Sequence, residues 1–180
     1  MSNRTAVDSE GSWFEPDHLT ELRRRLPITY IDVVPVRTDI DGSVVEVGLL
    51  LRASGAGQIV RSIISGRVLV HETIREAICR HVEKDLGTMA LPRIPVSPVP
   101  FTVAEYFPTP GVSPFHDPRQ HAISLAYVVP VDGETAPQED ALELSWFEVD
   151  ELLAESSPLE EMDGGRDLLV RRALAHVGAA

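Results

Sequence analysis

The segment from Ser65 to Gly87, SGRVLVHETIREAICRHVEKDLG, constrains the fold of this chain more than any other part of its sequence. Thr73 and Glu76 match a capping box, in which each side chain bonds the free backbone amide of the other residue. Gly87 suits the left-handed residue that commonly ends a helix. The pattern therefore predicts a loop and then a helix that begins after Thr73 and ends at Gly87.

The predicted helix is amphipathic. Its apolar residues recur at helical spacing and are expected to face a core; they are Ile74, Ala77, Ile78, Val82 and Leu86. Its polar residues are expected on or near the other side; they are Glu76, Arg80, His81, Lys84 and Asp85. A loop followed by such a helix is typical of a binding site that holds its ligand at the helix.

Strands and helices alternate irregularly along the rest of the chain. A short helical stretch, DHLTELRRRL, is stopped by Pro27. Stretches rich in β-branched and aromatic residues predict strands; they are ITYIDVVPV, VVEVGLLLR, QIVRSIIS, FTVAEYF, HAISLAYVVPV and LELSWFEV. DELLA and RDLLVRRALAHV predict two further helices, whereas the proline-rich PTPGVSPFHDPRQ predicts a loop. This order favours a mixed sheet covered by helices.

The length and composition are those of one ordinary globular core, because the chain has 180 residues of which 43% are hydrophobic. We expect a single domain over residues 13–180, preceded by a loose leader over residues 1–12. No apolar run approaches the roughly 20 residues that cross a bilayer, and the N-terminus lacks the apolar centre of a secretory signal. We therefore expect a cytoplasmic protein with no membrane partner. The single cysteine, Cys79, excludes an internal disulfide and is expected to be a small buried hydrophobe.

The charge balance argues against nucleic acid as a partner. The chain has 16 basic and 28 acidic residues, which gives a formal net charge of −12. Most of its surface should therefore repel a phosphate backbone. A small nucleotide needs only a local basic pocket, so it stays a candidate ligand.

The opening segment resembles the Nudix box. Gly66, Glu72, Arg80, Val82 and Gly87 stand where that box places a glycine, a glutamate, an arginine, an aliphatic residue and its final glycine. The spacing is specific because it links a loop, the phase of a helix and the end of that helix. The resemblance implies an α/β fold, the Nudix α/β/α sandwich with a mixed central β-sheet. It also implies hydrolysis of a nucleoside diphosphate linked to another group.

Three metal-binding positions depart from the usual box, which has glutamates where this chain has His81, Lys84 and Asp85. Carboxylates one helical turn apart converge on a hard cation such as Mg²⁺ beside a pyrophosphate. Imidazole suits Mg²⁺ poorly, and a lysine ammonium places positive charge near the expected metal. Only Asp85 retains a carboxylate.

The altered box is similar to that of the GDP-mannose mannosyl hydrolases, which retain one acidic ligand immediately before the final LG. The matching letters are Ser65-Gly66-Arg67-Val68, Glu72-Thr73, Ala77, Arg80 and Asp85-Leu86-Gly87. Softer similarities are Asp32 in an early strand, His121 at the start of a late strand, and the stretch WFEVDELL. In that branch water attacks the sugar carbon, and one Mg²⁺ ion stabilises the departing diphosphate.

This resemblance implies a metal site and a base. Asp85 is the candidate ligand of one Mg²⁺ ion, helped by the backbone carbonyl of Ser65 and by the side chain of Gln120. His121 is the candidate general base, because an unperturbed imidazole titrates close to neutral pH.

It also implies roles for four further residues. Arg52 and Arg67 would neutralise diphosphate oxygens, which suits the guanidinium fork. Glu72 and Arg80 would orient the loop and the helix. Asp32 is carried over without an assigned role.

Several of these residues are open to simpler interpretations. His121 heads an apolar strand and is equally consistent with a strand-end residue, whereas His116, in the proline-rich loop, is a rival base. His81 and Asp85, one turn apart, could simply pair with each other and have no further role. Lys84 could contact phosphate directly or be solvated.

Two classes of function are consistent with the sequence. The first is a Mg²⁺-dependent hydrolase of a nucleotide sugar or a related nucleoside diphosphate derivative, with attack at carbon or phosphorus left open. The second is a catalytically inactive Nudix-fold nucleotide-binding or regulatory module, suggested by His81, by Lys84 and by Ser65 in place of a glycine. The resemblance also implies a homodimer.

Overall fold

The computed structural model of the protein describes residues 16–54, 57–137 and 141–180. The predicted leader over residues 1–12 lies outside the described residues. The helices are α1 (Pro16–Arg25), α2 (Ile74–Leu86), α3 (Val149–Leu153) and α4 (Arg166–His176), with one 3₁₀ turn at Pro158–Glu161. Of the helices in the described part of the chain, none is long and apolar enough to span a bilayer.

The strands follow the predicted segments closely. They are β1 (Ile28–Thr38), β2 (Val44–Ala53), β3 (Ile59–Ser62), β4 (Ile64–Arg67), β5 (Thr102–Phe107), β6 (Phe115–His116), β7 (Ala122–Pro130) and β8 (Ala141–Glu148). The predicted strand QIVRSIIS is divided at Ile63 into β3 and β4, and β4 extends to Arg67, which the pattern placed in a loop. The sequence also missed β6, which lies inside the predicted proline-rich loop. Since β6 has two residues, it is too short to leave a periodic pattern.

One mixed sheet joins these strands in the order β3-β2-β1-β7-β5-β6, while β4 pairs with β1 and β8 pairs with β2. β1 runs parallel to β7, and β5 runs parallel to β6. The other pairs are antiparallel. The predicted mixed sheet is confirmed.

Helices pack on both faces of this sheet because β1 is apolar on both sides. Ile31 and Val33 belong to the core cluster under α2, whereas Val34 and Val36 belong to the cluster under α3 and α4. A strand buried on both faces reads as a continuous apolar run rather than an alternating one. The arrangement is an α/β/α sandwich, as the sequence predicts.

The start and end of α2 follow the capping prediction. The Thr73 hydroxyl accepts from the Glu76 amide at 3.2 Å, and the Glu76 carboxylate accepts from the Thr73 amide at 2.8 Å. Gly87 ends the helix with φ 88° and ψ 164°. Its φ is positive as expected, but its ψ is extended rather than left-handed, a region that only glycine adopts readily.

The predicted polar side of α2 is partly wrong. His81 and Asp85 are only 7% and 2% exposed, although the pattern places them toward solvent or ligand. The reason is that Gly66 of β4 lies against His81 and Arg52 of β2 bonds to Asp85, so the helix is buried over more than its apolar stripe. Cys79, expected to be buried, is half-buried.

Removing the cap tests how much the start of α2 depends on it. Thr73→Ala is expected to lower the free energy of unfolding by about 1 kcal/mol, because the Glu76 amide loses its acceptor. Thr88→Ala, which removes an exposed threonine just beyond the helix, should change it by less than about 0.5 kcal/mol. Urea unfolding of both variants measures this. Equal losses in the two would show that the cap contributes nothing particular.

Candidate functional site

A cavity of about 1070 Å³ opens beside β4 and the start of α2. The predicted site residues on its wall are Arg52, Ser65, Arg67 and Arg80. Other residues reach it from distant parts of the chain; they include Tyr30, His81, Lys84, His116, Arg119 and Arg166. A cavity of this size is large enough for a nucleotide or a dinucleotide derivative.

The loop between β4 and α2 is fixed by the Glu72–Arg80 ion pair. Arg80 donates to both carboxylate oxygens of Glu72, at 2.6 and 2.8 Å, and also to the backbone carbonyl of Arg67 at 2.9 Å. Glu72 in turn accepts from the Leu69 amide at 2.8 Å. Burial alone would raise the pKa of Glu72, but these hydrogen bonds outweigh it and hold the pKa below its ordinary value. This contact supports the predicted orienting role of both residues.

His81 packs flat against the backbone of Gly66. A Cβ atom at Gly66 would lie 1.8 Å from Cε1 of the imidazole, so no other residue fits there without moving the ring. Nε2 lies 3.0 Å from the Arg67 carbonyl, and since a carbonyl only accepts, Nε2 carries the proton. Burial lowers the pKa of His81 below its ordinary value, which favours the neutral ring.

Asp85 is buried against a guanidinium from another strand. Its Oδ2 accepts from the Arg52 side chain at 2.5 Å, and Asp85 is 2% exposed. Asp85 is not among the described residues that line the cavity, whereas Arg52 is. The carboxylate therefore lies behind the wall and holds in place an arginine that faces the ligand space.

The cavity wall is positively charged in a protein that is otherwise acidic. Its cationic side chains are Arg52, Arg67, Arg80, Lys84, Arg119 and Arg166. Four carboxylates pair with members of this group; they are Asp85, Glu72, Asp117 and Asp163. Among the described residues, six cationic side chains and two carboxylates, Asp117 and Asp163, line the cavity, whereas the whole chain carries a net charge of −12. Burial lowers the pKa of Arg67, as expected for a guanidinium that is partly removed from water.

The two candidate bases lie in different places. His116, on β6, lines the cavity. His121 stacks on Phe107 with ring centroids 4.4 Å apart. Its Nε2 is buried and has no hydrogen-bond partner among the described residues, and His121 is absent from the described cavity lining. The role of His121 as base stays a prediction, and the structure brings its rival to the ligand space.

Two glycines hold the β6 segment against the start of α4. Gly164 accepts a hydrogen bond from the His116 amide at 3.1 Å. A Cβ atom at Gly164 would lie 2.6 Å from the His116 carbonyl oxygen, and one at Gly165 would lie 2.3 Å from that of Pro114. Both glycines also have positive φ angles, of 63° and 82°. Side chains at these positions would push the His116 segment away from the helix.

Gln120 belongs to a hydrogen-bond network behind the cavity. It is 1% exposed, accepts from Nε of Arg23 at 2.8 Å and donates to Asp117 at 2.9 Å. Asp117 also receives two bonds from Arg119, at 2.9 Å each. Burial would raise the pKa of Asp117, but the bonds from Arg119 and Gln120 keep it lowered. The network holds Arg119 at the cavity wall.

A small chamber of about 10 Å³ adjoins the large cavity and contains Asp32. Asp32 is 1% exposed; its Oδ2 accepts from the Tyr106 hydroxyl at 2.9 Å, while its Oδ1 has no partner among the described residues. Ser124 lines the same chamber, and its buried hydroxyl also has no hydrogen-bond partner in the described part of the chain. Ser65 lies opposite Asp32 in the β1–β4 pairing and lines both spaces. The chamber is large enough for one water molecule.

The sequence did not identify Arg119 or Arg166 as site residues. Arg119 follows a proline-rich loop and Arg166 begins a helix, so both patterns describe local structure and neither shows which way the side chain points. Only the β4, β6 and α4 arrangement brings them to one cavity. The sequence contains these arginines, but they are far apart along the chain. Their grouping around one cavity is visible only in the fold.

The donor set does not fit a divalent cation in this arrangement. The described residues contain no group of three or more His, Cys, Asp or Glu side chains placed to hold a metal ion. Asp85 is engaged by Arg52, and Gln120 by Arg23 and Asp117. The assignment of Asp85, Ser65 and Gln120 to one Mg²⁺ ion stays a prediction.

Sequence comparison places the chain in a family. Residues 9–179 match the profile of a family described as a domain of unknown function, DUF4916. The chain belongs to the DUF4916 family. No protein of curated function matches this DUF4916 chain in sequence.

Solved structures show what this DUF4916 protein resembles. A possible asymmetric diadenosine tetraphosphate hydrolase from Jonesia denitrificans DSM 20603 is 56% identical, with a TM-score of 0.82 over 86% of this chain and 97% of that one. The Nudix domain of Shewanella oneidensis NrtR, solved with ADP-ribose, is 12% identical, with a TM-score of 0.62 over 91% of this chain and 94% of that one. The DUF4916 chain therefore has the Nudix fold.

A third structure extends the comparison to a metal complex. The bifunctional NMN adenylyltransferase/ADP-ribose pyrophosphatase from Francisella tularensis, solved with AMP and a Mn ion, is 14% identical, with a TM-score of 0.54. The match covers 89% of this DUF4916 chain and 47% of that one. At this identity the likeness concerns the fold. The finer resemblance to mannosyl hydrolases stays a prediction.

The contact between Gly66 and His81 can be tested by a double-mutant cycle. Gly66→Ala is expected to lower the free energy of unfolding by about 1–3 kcal/mol, because the new methyl overlaps the imidazole. In a His81→Ala background the same change should cost less than about 0.5 kcal/mol, since the space is then open. Chemical denaturation of the four proteins measures the coupling. Additive losses would contradict the contact.

The lowered pKa of His81 predicts a pH dependence of stability. The unfolded chain protonates His81 near its ordinary value of 6.5, whereas the folded protein does so only at lower pH. The stabilising contribution is therefore complete above about pH 6.5 and is lost as the pH falls toward the folded pKa. The difference in unfolding free energy between wild type and His81→Gln should shrink over this range. A constant difference from pH 8 to pH 5 would rule out this linkage.

Proposed function

We propose that this protein hydrolyses a nucleoside diphosphate derivative bound in the large cavity. The observation that carries the proposal is the set of six cationic side chains on the wall of a cavity of about 1070 Å³ in a chain of net charge −12. Anionic phosphates are attracted to such a wall, while the remaining acidic surface repels larger polyanions. The 56% identity to a possible diadenosine tetraphosphate hydrolase supports the reaction class.

The proposed roles follow from the side chains that face this space. Arg52 and Arg67 bind diphosphate oxygens, for which the planar guanidinium offers paired donors. Positive charge held there before the reaction stabilises negative charge on the leaving phosphate. Lys84 and Arg119 extend the same wall. His116 is the histidine that we propose as the base for the attacking water.

Two substrate types deserve priority within this class. Dinucleoside polyphosphates are suggested by the Jonesia denitrificans relative. Nucleotide sugars are suggested by the altered box, with its single acid at Asp85 before Leu86 and Gly87. Both carry the linked phosphates that the arginine-rich wall would bind, and the cavity is large enough for either.

A second candidate is a module that binds a nucleotide without turnover. The specific observation in its favour is the Arg52–Asp85 ion pair, in which the one retained box acid is bonded to a guanidinium. The same cavity would then serve recognition alone. Binding without product formation would identify this alternative.

Product analysis in ¹⁸O-labelled water tests the proposal and the attacked atom together. Purified protein, with and without MgCl₂, is incubated with dinucleoside polyphosphates, ADP-ribose and nucleotide sugars. Product is expected from at least one compound, with label in phosphate for attack at phosphorus and in the sugar for attack at carbon. His116→Ala should lower kcat by about 10²–10⁴-fold, whereas His18→Ala, on the exposed face of α1, should leave it unchanged. Complete absence of product with tight nucleotide binding would reject hydrolysis in favour of the binding module.

A further inference from the structure

We propose that the cavity binds the diphosphate of its ligand without a divalent cation, with arginine and lysine side chains supplying the positive charge. This inference rests on the proposed function, because that function names the ligand class. The argument begins with the three box positions at which metal-binding carboxylates are expected, namely His81, Lys84 and Asp85.

The retained carboxylate already has a cationic partner. Asp85 is 2% exposed and bonds to Arg52 at 2.5 Å, across 33 residues of sequence. A buried charge that is paired and hydrogen-bonded is costly to separate from its partner. A divalent cation at Asp85 would have to displace this guanidinium or lie beside it. Arg52 thus balances the charge of Asp85, as a bound metal ion would.

The second position is neutral and committed to the backbone. The Nε2–H of His81 points to the Arg67 carbonyl at 3.0 Å, and its ring lies against Gly66. Burial lowers the pKa of His81 and so favours the neutral ring. A neutral imidazole replaces a carboxylate at this position and is a poor ligand for a hard cation such as Mg²⁺. The ring instead fills the space beneath the loop.

The third position adds positive charge. Lys84 lines the cavity, where the usual box has a carboxylate. Compared with three glutamates at these positions, the set His81, Lys84 and Asp85 changes the local charge from −3 to zero when histidine is counted as neutral. Lys84, Arg67 and Arg52 together then present cations toward the same space. A metal ion that bridges protein and phosphate would lack its carboxylate ligands on the protein side. Direct contact between a cationic side chain and phosphate is favoured instead.

The geometry therefore favours direct recognition of phosphate by guanidinium and ammonium groups. Arginine pairs with phosphate through two parallel N–H donors, and lysine acts as a point charge. Affinity should rise with the number of linked phosphates and fall with salt, because exposed charge pairs are screened. Mg²⁺ should not strengthen binding, because it complexes the linked phosphates in solution and masks their charge.

Calorimetric titration of the full-length protein with ADP, AMP and inorganic pyrophosphate tests this inference. Each ligand is titrated once in EDTA and once in MgCl₂. We expect ADP and pyrophosphate to bind in EDTA, each with a Kd no more than about threefold above its own value in MgCl₂, and AMP to bind more weakly in both buffers. MgCl₂ titrated alone should give no saturable heat.

Lys84→Glu restores a carboxylate to the box and is the most informative variant for testing metal-free binding. It should weaken binding of ADP in EDTA by about tenfold or more. Arg75→Glu is the matched control, because it makes the same change of charge on an exposed side of the same helix. It should change the Kd by less than about twofold.

The outcomes separate the two proposals. Binding of ADP in MgCl₂ that disappears in EDTA would overturn metal-free recognition and leave the proposed function standing. Equal weakening by Lys84→Glu and Arg75→Glu would also overturn it, since the effect would then be one of net charge. Failure of ADP and pyrophosphate to bind in either buffer, together with no product from any nucleotide, would remove the proposed function itself.

Discussion

The ion pair between Glu72 and Arg80 is the contact on which the rest of the site depends. A bidentate pair fixes orientation as well as distance, because two parallel bonds resist rotation. Arg80 adds a bond to the Arg67 carbonyl, and Glu72 adds one from the Leu69 amide. The end of β4, the loop and the start of α2 are therefore held together. Arg67, Arg80 and Lys84, which line the cavity, lie on these elements.

Local features were predictable from the sequence because local physics determines them. The capping box of Thr73 and Glu76 needs only two residues three apart, and the strand segments need only a run of β-branched residues. β1 shows the same point on a larger scale, since an apolar run such as IDVVPV is typical of a strand covered on both faces. These rules place the elements and, through the resemblance, their layered arrangement.

The burial of His81 and Asp85 could not be predicted in this way. Helical periodicity describes one face of α2, but whether the next face is covered depends on what lies against it. Gly66 covers His81 only because it has no side chain, and Arg52 reaches Asp85 from a strand 33 residues earlier. The meaning of the box acids likewise depends on their partners. An aspartate beside a guanidinium is electrostatically different from an aspartate that faces an open pocket, although the sequence shows the same residue in both cases.

The paired glycines before α4 give the C-terminal helix a part in the cavity. Gly164 and Gly165 touch the backbone of Pro114 and His116 without any intervening side chain. The start of α4 therefore supports the part of the cavity wall that carries His116. Arg166, the next residue, lines the same cavity. A shorter relative that ended before this helix would keep the whole Nudix box and still lack one side of its binding chamber. Intactness of the box alone is therefore a poor guide to which members of such a family can hold a ligand.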